Sequence, residues 1–227
     1  MPDVLIAWVA GVLAGPFLAG PLYDSSKSLA DQSIWFLIAV VVLQTLGWFA
    51  ALLVVSRVKG QSSLRRDFGL DLDPDPAHVA VFARWLAAGL GLALVGFVVM
   101  LPIEAIGDFG DEVQDVARAL DRASGIGQVL FALTVVIVTP VGEELIFRGG
   151  VQRALQRRFR AEIAVFGTAL LFAVSHVAGD PDSYPAVPSL LLLGVVSGYQ
   201  AYRTGDLTRS IALHCGFNLL ATLELLR

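Results

Sequence analysis

The chain has 227 residues, a net charge of −4, 56% hydrophobic side chains and only 16% charged ones, against about 25% charged in soluble domains. That balance excludes an ordinary water-soluble globule. Nucleic-acid binding is not expected either, because the basic residues gather at the ends of apolar stretches, where membrane topology accounts for them. A single cysteine, Cys215, excludes an intramolecular disulfide and any paired-cysteine zinc site.

Apolar stretches free of charge run over residues 4–23, 34–55, 85–103, 126–142, 163–175, 187–202 and 211–223. A bilayer core of roughly 30 Å takes about 20 helical residues, so the first four read as full spans and the last three as shorter ones. The expected fold is all-α: a polytopic membrane bundle of about seven helices around a central polar cavity. The first stretch has no basic residue ahead of it and exceeds the roughly 7–15 residue core of a secretory signal, so it reads as a retained helix. Residues 67–76, with Asp71, Asp73, Asp75, Pro74 and Pro76, read as a polar loop. Residues 112–122 place Val113, Val116, Ala117 and Leu120 on one helical face, as an interfacial helix would. Gly11 with Gly15, and Gly194 with Gly198, have the four-residue spacing that lets helix backbones approach. His78, beside the polar loop, reads as surface. No period of about 20–50 residues repeats, so one integrated membrane domain is expected.

Arg57, Lys59, Arg65 and Arg66 follow the second stretch, Arg148, Arg153, Arg157, Arg158 and Arg160 follow the fourth, and Arg203 and Arg209 bracket the last turn. These share one side of the membrane. Asp24, Asp31, Glu104, Asp108, Asp111, Glu112, Asp115, Asp121, Asp180 and Asp182 dominate the other connections. The positive-inside rule then puts the amino terminus in the cytoplasm and the carboxyl terminus outside, for a multi-pass protein expected in the cell membrane.

The strongly polar groups inside apolar segments form three clusters: Glu143, Glu144 and Arg148; Phe172 and His176; His214 and Asn218. Each such group is expensive in lipid, which points to one shared site. Residues four apart share a helical face, so Glu144 can pair with Arg148, Phe172 lies over His176, and His214 and Asn218 point the same way. A guanidinium can hold Glu144 ionised, which leaves Glu143 as the free carboxylate, suited to take a proton from water. His176 can orient or share that water, since an imidazole both donates and accepts. His214 and Asn218 can donate to an oxyanion developing on a carbonyl. The inventory fits amide hydrolysis by water. There is no Gly-x-Ser-x-Gly elbow and no His-Glu-x-x-His motif, and Ser175 and Cys215 lie about 100° around the helix from their neighbouring histidines. Each cluster alone also has a structural reading, as a snorkelling ion pair or a histidine bonded to a neighbouring helix.

In these residues the chain resembles a known family. Glu143-Glu144-Leu-Ile-Phe-Arg148-Gly149, then Phe172-Ala-Val-Ser-His176, then His214-Cys-Gly-Phe-Asn218, in that order, are similar to the three motifs of the type II CAAX prenyl endopeptidase and bacteriocin-processing intramembrane protease family. The stretch from Gly198 through Arg203 to Gly205 is similar as well. The resemblance covers residues 126 to 223 and implies a division into amino-terminal helices, 1–125, that vary in the family, and a catalytic core, 126–227. It implies that Glu143 and His176 hold the attacking water, that Glu144 and Arg148 support them, and that His214 and Asn218 form the oxyanion hole. It implies a peptide or prenylated protein as substrate. The family also has members in self-immunity and in the processing of secreted peptides.

Three readings follow. One is a membrane-embedded endopeptidase that needs no cofactor. Another puts zinc on His176, His214 and Glu143, legitimate ligands that would leave an open position for water. The third is a non-catalytic scaffold or immunity protein. Aromatic walls from Phe147, Phe172 and Phe217 suit an apolar or lipidated peptide. Oligomeric state is not legible. Simple placement would hold Glu143, His176 and His214 apart along the membrane normal. They meet within about 8 Å only if the fourth helix continues through Gly149 to about Phe159, bent at Pro140.

Overall fold

The computed structural model describes residues 2–27, 31–71, 75–106, 118–119, 122–179 and 181–225. Among them all regular structure is helical, in eight helices. These are α1 (Pro2–Ala19), α2 (Ile34–Lys59), α3 (Leu64–Phe68), α4 (Pro76–Ile106), α5 (Gly125–Gln156), α6 (Ala161–Gly179), α7 (Val187–Thr204) and α8 (Thr208–Leu225). Most of the interfacial helix expected over 112–122 lies outside the described residues.

Five segments are long and apolar enough to cross a membrane: Pro2–Leu22, Ile34–Lys59, Pro76–Leu101, Gly125–Gln156 and Ala161–Gly179. The two remaining long helices, α7 and α8, have 18 residues each, a reach of about 27 Å. They fall short on apolarity rather than length. The reason is their place in the bundle: residues 211–216 of α8 are all buried, so this helix meets protein where α1 or α4 meets lipid. Ile6 at 66% and Phe17 at 83% exposure show the opposite pattern, apolar side chains turned outward. Such a surface is stable only in hydrocarbon.

Local chemistry sets the ends. The Ser33 hydroxyl accepts from Phe36 N to start α2, and Ser63 accepts from Arg66 N to start α3. Gly69 closes α3 at φ 77°, a left-handed backbone that glycine adopts without a Cβ penalty. Close backbone approach explains other glycines. A Cβ on Gly216 of α8 would fall on the Leu86 carbonyl oxygen of α4, and one on Gly89 would fall on the Leu213 carbonyl oxygen. The paired glycines expected to serve packing do so: Gly11 lies under the Trp48 indole, and a Cβ on Gly194 would stand 2.8 Å from the Ala169 Cβ. Trp48 Nε1 also donates to the Trp8 carbonyl at 3.0 Å, joining α1 to α2.

The basic connections do share one face. Lys59 Nζ meets Asp3 Oδ1 at 2.6 Å. Arg153 donates to the carbonyls of Arg66, Asp67 and Gly205, and Leu207 N donates to Gly69 O at 2.9 Å. The loop expected over 67–76 is therefore in part a docked element. Asp67 belongs to α3, where its carboxylate accepts from Ser56 Oγ at 2.5 Å and from Gln61 N at 2.9 Å. Composition marked this stretch as polar; it could not show that Ser56, eleven residues earlier, would bond it. His78 is half-buried, its Nε2 3.8 Å from the Asp71 carboxylate, which also meets Arg65 at 3.0 Å.

Candidate active site

The site rests on the unusual winding of α5. The helix runs without a break for 32 residues, from Gly125 through Gln156, so Glu143 lies well inside it instead of at its end. Two stretches, Thr134–Val138 and Leu145–Gln152, are π-helical, and Pro140 sits in the first turn of the α-helical segment between them. Proline has no N–H to continue the ladder, and a π turn widens the helix to absorb the gap. The Thr139 N–H donates to Thr134 O, five residues back. Asn218 Nδ2 of α8 donates to Val135 O at 3.0 Å, serving a carbonyl inside this π segment. The continuity past Gly149 required by the sequence is present, and Glu143, His176 and His214 come together.

Glu143 stands between two imidazoles. Its Oε1 lies 3.7 Å from His176 Nε2 and its Oε2 3.6 Å from His214 Nε2. Both distances are beyond a direct hydrogen bond and short enough for one water to bridge each pair from the side. The other ring nitrogens are occupied. His176 Nδ1 is 2.9 Å from the Phe172 carbonyl, its partner one turn earlier. A carbonyl only accepts, so Nδ1 carries the hydrogen and Nε2 of the neutral ring presents a lone pair toward Glu143. His214 Nδ1 is 3.0 Å from Glu144 Oε1, and Arg148 meets the same oxygen at 3.1 Å. The side chains of Glu144 and Arg148 have no exposure at all. An ionised Glu144 fixes the hydrogen of His214 on Nδ1, so Nε2 becomes a donor only when the ring carries both hydrogens.

The adjacent glutamates thus have different surroundings. Glu144 is sealed against Arg148 and His214, while Glu143 keeps 13% and His176 keeps 29% side-chain exposure. Phe172 supports the cluster from beneath. Its ring packs edge-on against His176 at 4.6 Å and His214 at 5.7 Å, with the Arg148 guanidinium 4.7 Å over its face. Of the three phenylalanines expected to line a substrate cavity, Phe172 and Phe147 are packed in the core at 0% and 5% exposure, stacked edge to face at 5.3 Å. Only Phe217 is partly exposed. Ser175 Oγ donates to Phe172 O and Cys215 is buried, so neither is free to act as a nucleophile.

The first three helices contribute more than the motifs suggest. A Cβ on Gly142, next to Glu143, would press on Thr45 and Trp48 of α2. Beyond the motifs, the polar stripe of α5 continues. Arg148 donates to Gly194 O at 3.3 Å and Gln152 Nε2 to Gly198 O at 2.9 Å. Two side chains four apart on α5 thus bond two carbonyls four apart on α7, reachable because Gly194 and Gly198 carry no side chains. The signal was available: Glu144, Arg148, Gln152 and Gln156 repeat every four residues. Among the described residues no group of three His, Cys, Asp or Glu is arranged to hold a metal ion. His176, His214 and Glu143 meet pairwise through Glu143, with both Nε2 atoms facing it.

This arrangement can activate a water at a carboxylate and receive negative charge at an imidazole, in a bundle of membrane-spanning helices. Residues 125–220 match the model of the family described as type II CAAX prenyl endopeptidase Rce1-like. The matched segment contains every polar residue of the site. No curated protein and no solved structure matches the chain. The match supports CAAX-type hydrolase activity in general, carried by an integral membrane protein: over residues 125–220 the chain is similar to the type II CAAX prenyl endopeptidase Rce1-like family.

Proposed function

We propose that the protein is an intramembrane endopeptidase that cleaves membrane-associated or lipidated peptides with a water activated by Glu143. The observation that carries this reading is the position of the Glu143 carboxylate, 3.6–3.7 Å from two imidazole nitrogens whose opposite nitrogens are already engaged. Water donates to Glu143 and to the lone pair of His176 Nε2. As its oxygen attacks the peptide carbonyl carbon, one proton passes to Glu143 and the carbonyl π electrons move to oxygen. His214, with both nitrogens protonated, donates from Nε2 to that oxyanion, its added charge balanced by the oxyanion and by Glu144. Asn218 has a second amide hydrogen beyond the one given to Val135 O and adds to the same hole. Collapse breaks the C–N bond, and the proton on Glu143 goes to the leaving amine.

In this reading residues 126–227 are the catalytic core and residues 1–125 brace it, with the amino terminus on the cytoplasmic side. Phe217 is the aromatic contact left for an apolar substrate group. The substrate class follows from the family, a peptide or prenylated protein. No metal takes part in the favoured mechanism.

The test is cleavage of quenched fluorescent peptides, with and without a prenylated cysteine, by detergent-purified wild type and Glu143→Gln, each with and without a zinc chelator. Cleavage by wild type alone, indifferent to chelator, is the expected result. Loss on chelation and recovery with zinc would replace the mechanism with a metal-activated one. Activity surviving in Glu143→Gln would remove Glu143 from the chemistry.

A further inference from the structure

On the basic face lies a pocket of about 450 Å³ lined by Arg66, Arg148, Gln152, Arg153, Gln156 and Arg157, among others. Its one acidic side chain is Asp67, whose carboxylate is already bonded by Ser56 Oγ and Gln61 N. Arg153 and Arg157 are four residues apart, like charges held on one face of a helix end. Arg66 and Arg157 thus face this space beside Arg153, which already donates to the carbonyls of Arg66, Asp67 and Gly205 and adds its charge. Four buried polar atoms on its wall also lack hydrogen-bond partners: the donors Gln156 Nε2, Arg148 Nε and Arg148 Nη1, and the acceptor Gln152 Oε1. An oxyanion would satisfy the donors together with the arginines.

Tyr202 lines this pocket and also a second, apolar one. The second is a groove of about 710 Å³ between α6 and α7, walled by Ile163, Phe166, Gly167, Val195 and Tyr199. Its side chains turn outward, Ile163 at 56% and Phe166 at 60% exposure. Tyr199 and Tyr202 occur where α7 nears its end at Thr204, and Arg203 donates to the Tyr199 hydroxyl at 3.1 Å. Tyrosine and arginine at a helix end mark the level of lipid headgroups. An apolar groove that passes through a tyrosine into an arginine pocket has the chemistry of one molecule, with hydrocarbon at one end and an anionic group at the other.

We propose that these two spaces form one site for an anionic phospholipid, with an acyl chain along Phe166 and Gly167 and the phosphate against Arg66, Arg153 and Arg157. The site shares Arg148 with the peptidase cluster but does not depend on that chemistry and would exist if that reading failed. The lipid would bind α5, α6 and α7 together on the face where the polar stripe of α5 emerges.

The experiment measures binding and thermal stabilisation of the purified full chain by phosphatidylglycerol, phosphatidylcholine and inorganic phosphate, each added to detergent micelles. Phosphatidylglycerol is expected to bind and raise the melting temperature, and the other two to do neither. Arg157→Gln and Arg66→Gln, both exposed positions, should each weaken phosphatidylglycerol binding by about tenfold, the loss of one charge-assisted contact. Gly167→Leu fills the groove without crowding the backbone, since the nearest atom to a Cβ there is Leu155 Cδ1 at 4.0 Å. It should weaken the lipid and keep the unliganded melting temperature. Equal stabilisation by both lipids, or wild-type affinity in the arginine variants, would overturn the site. Equal effect from inorganic phosphate would reduce it to an anion pocket without a lipid. If phosphatidylglycerol does not bind, while Arg157→Gln raises KM only for peptides ending in a free carboxylate, the pocket belongs to a peptide terminus and the lipid proposal fails.

Discussion

Replacing Glu143 and Glu144 one at a time should separate chemistry from architecture, because neighbours of the same type sit in opposite surroundings. Glu144 has no exposure and shares one carboxylate oxygen between Arg148 at 3.1 Å and His214 at 3.0 Å. Glu144→Gln leaves a fully buried guanidinium without its counter-charge, and breaking one side of a buried pair costs about 3–5 kcal/mol. For a chain of this length that is a fall of about 6–20 °C in melting temperature. Arg148→Met should cost a similar amount by stranding Glu144. The double variant removes both charges, so its melting temperature should recover most of the way to wild type, with a coupling energy of at least about 2 kcal/mol. Glu143 behaves otherwise. It is partly exposed, and its neighbours His176 and His214 keep their bonds to Phe172 O and Glu144 without it. Glu143→Gln should shift the melting temperature by no more than about 2 °C while reducing kcat by about 10²–10⁴-fold. Intrinsic tryptophan fluorescence in detergent during heating, paired with peptide cleavage on the same preparations, reads both quantities. Equal thermal losses for Glu143→Gln and Glu144→Gln, or purely additive losses for Glu144→Gln and Arg148→Met, would refute the distinction.

Asn218→Ala removes both the bond to Val135 O and the remaining amide hydrogen, and should lower kcat by about 10²–10³-fold with KM little changed; an unchanged kcat would take Asn218 out of the oxyanion hole. Burial tends to raise the Asp67 carboxyl, but the Ser56 hydroxyl, the Gln61 N–H and Arg153 outweigh it and hold the group below the ordinary aspartate value. A depressed folded-state value means stability present above about pH 4 and lost as pH falls through the folded value. Wild type should therefore exceed Asp67→Asn in melting temperature at pH 7, with the gap narrowing below about pH 4; a gap independent of pH would contradict this. Gly216→Ala drives a methyl into the Leu86 carbonyl oxygen, where backbone cannot yield as a side chain would, and should cost about 1–3 kcal/mol or more by thermal unfolding; a neutral result would mean that α4 and α8 are farther apart.

The sequence carried the residues of the site more fully than their partners. Polar groups spaced four apart within apolar runs pointed to Glu144 with Arg148, and His176 with the turn that holds Phe172. Helical periodicity is local, and those contacts are local. The bond from His214 to Glu144 joins residues seventy apart, and nothing in either helix alone specifies it. Phe147 illustrates the same limit. Its type suited a cavity wall, but whether an aromatic residue faces substrate or core depends on what packs behind it, and Phe172 does. The last two helices were legible as helices, while their modest apolarity became explicable only with the bundle around them. Ser56 and Asp67 show how a loop composition conceals docking, since polar residues serve water and protein equally well. Gln152, by contrast, could have been found by continuing the four-residue step beyond Arg148.

The wide turn at Thr134–Val138 gives the chain a property that point substitutions do not probe. A π turn amounts to one extra residue accommodated within an α-helix, and successive α-helical residues are about 100° apart around the axis. Deleting a single residue there lets the segment relax to ordinary pitch, and because the wide turn had absorbed that residue, each later side chain keeps nearly its present direction relative to the first turns of α5. Glu143 and Glu144 would stay in place. The same deletion in the ordinary helical turns of Gly125–Leu133 has no such slack: every later side chain would turn by about 100°, Glu144 would take the direction now held by Glu143, and the site would lose its sealed carboxylate. The wide turn is therefore the one stretch of α5 ahead of Glu143 where a change of chain length by one residue leaves the register of the site intact.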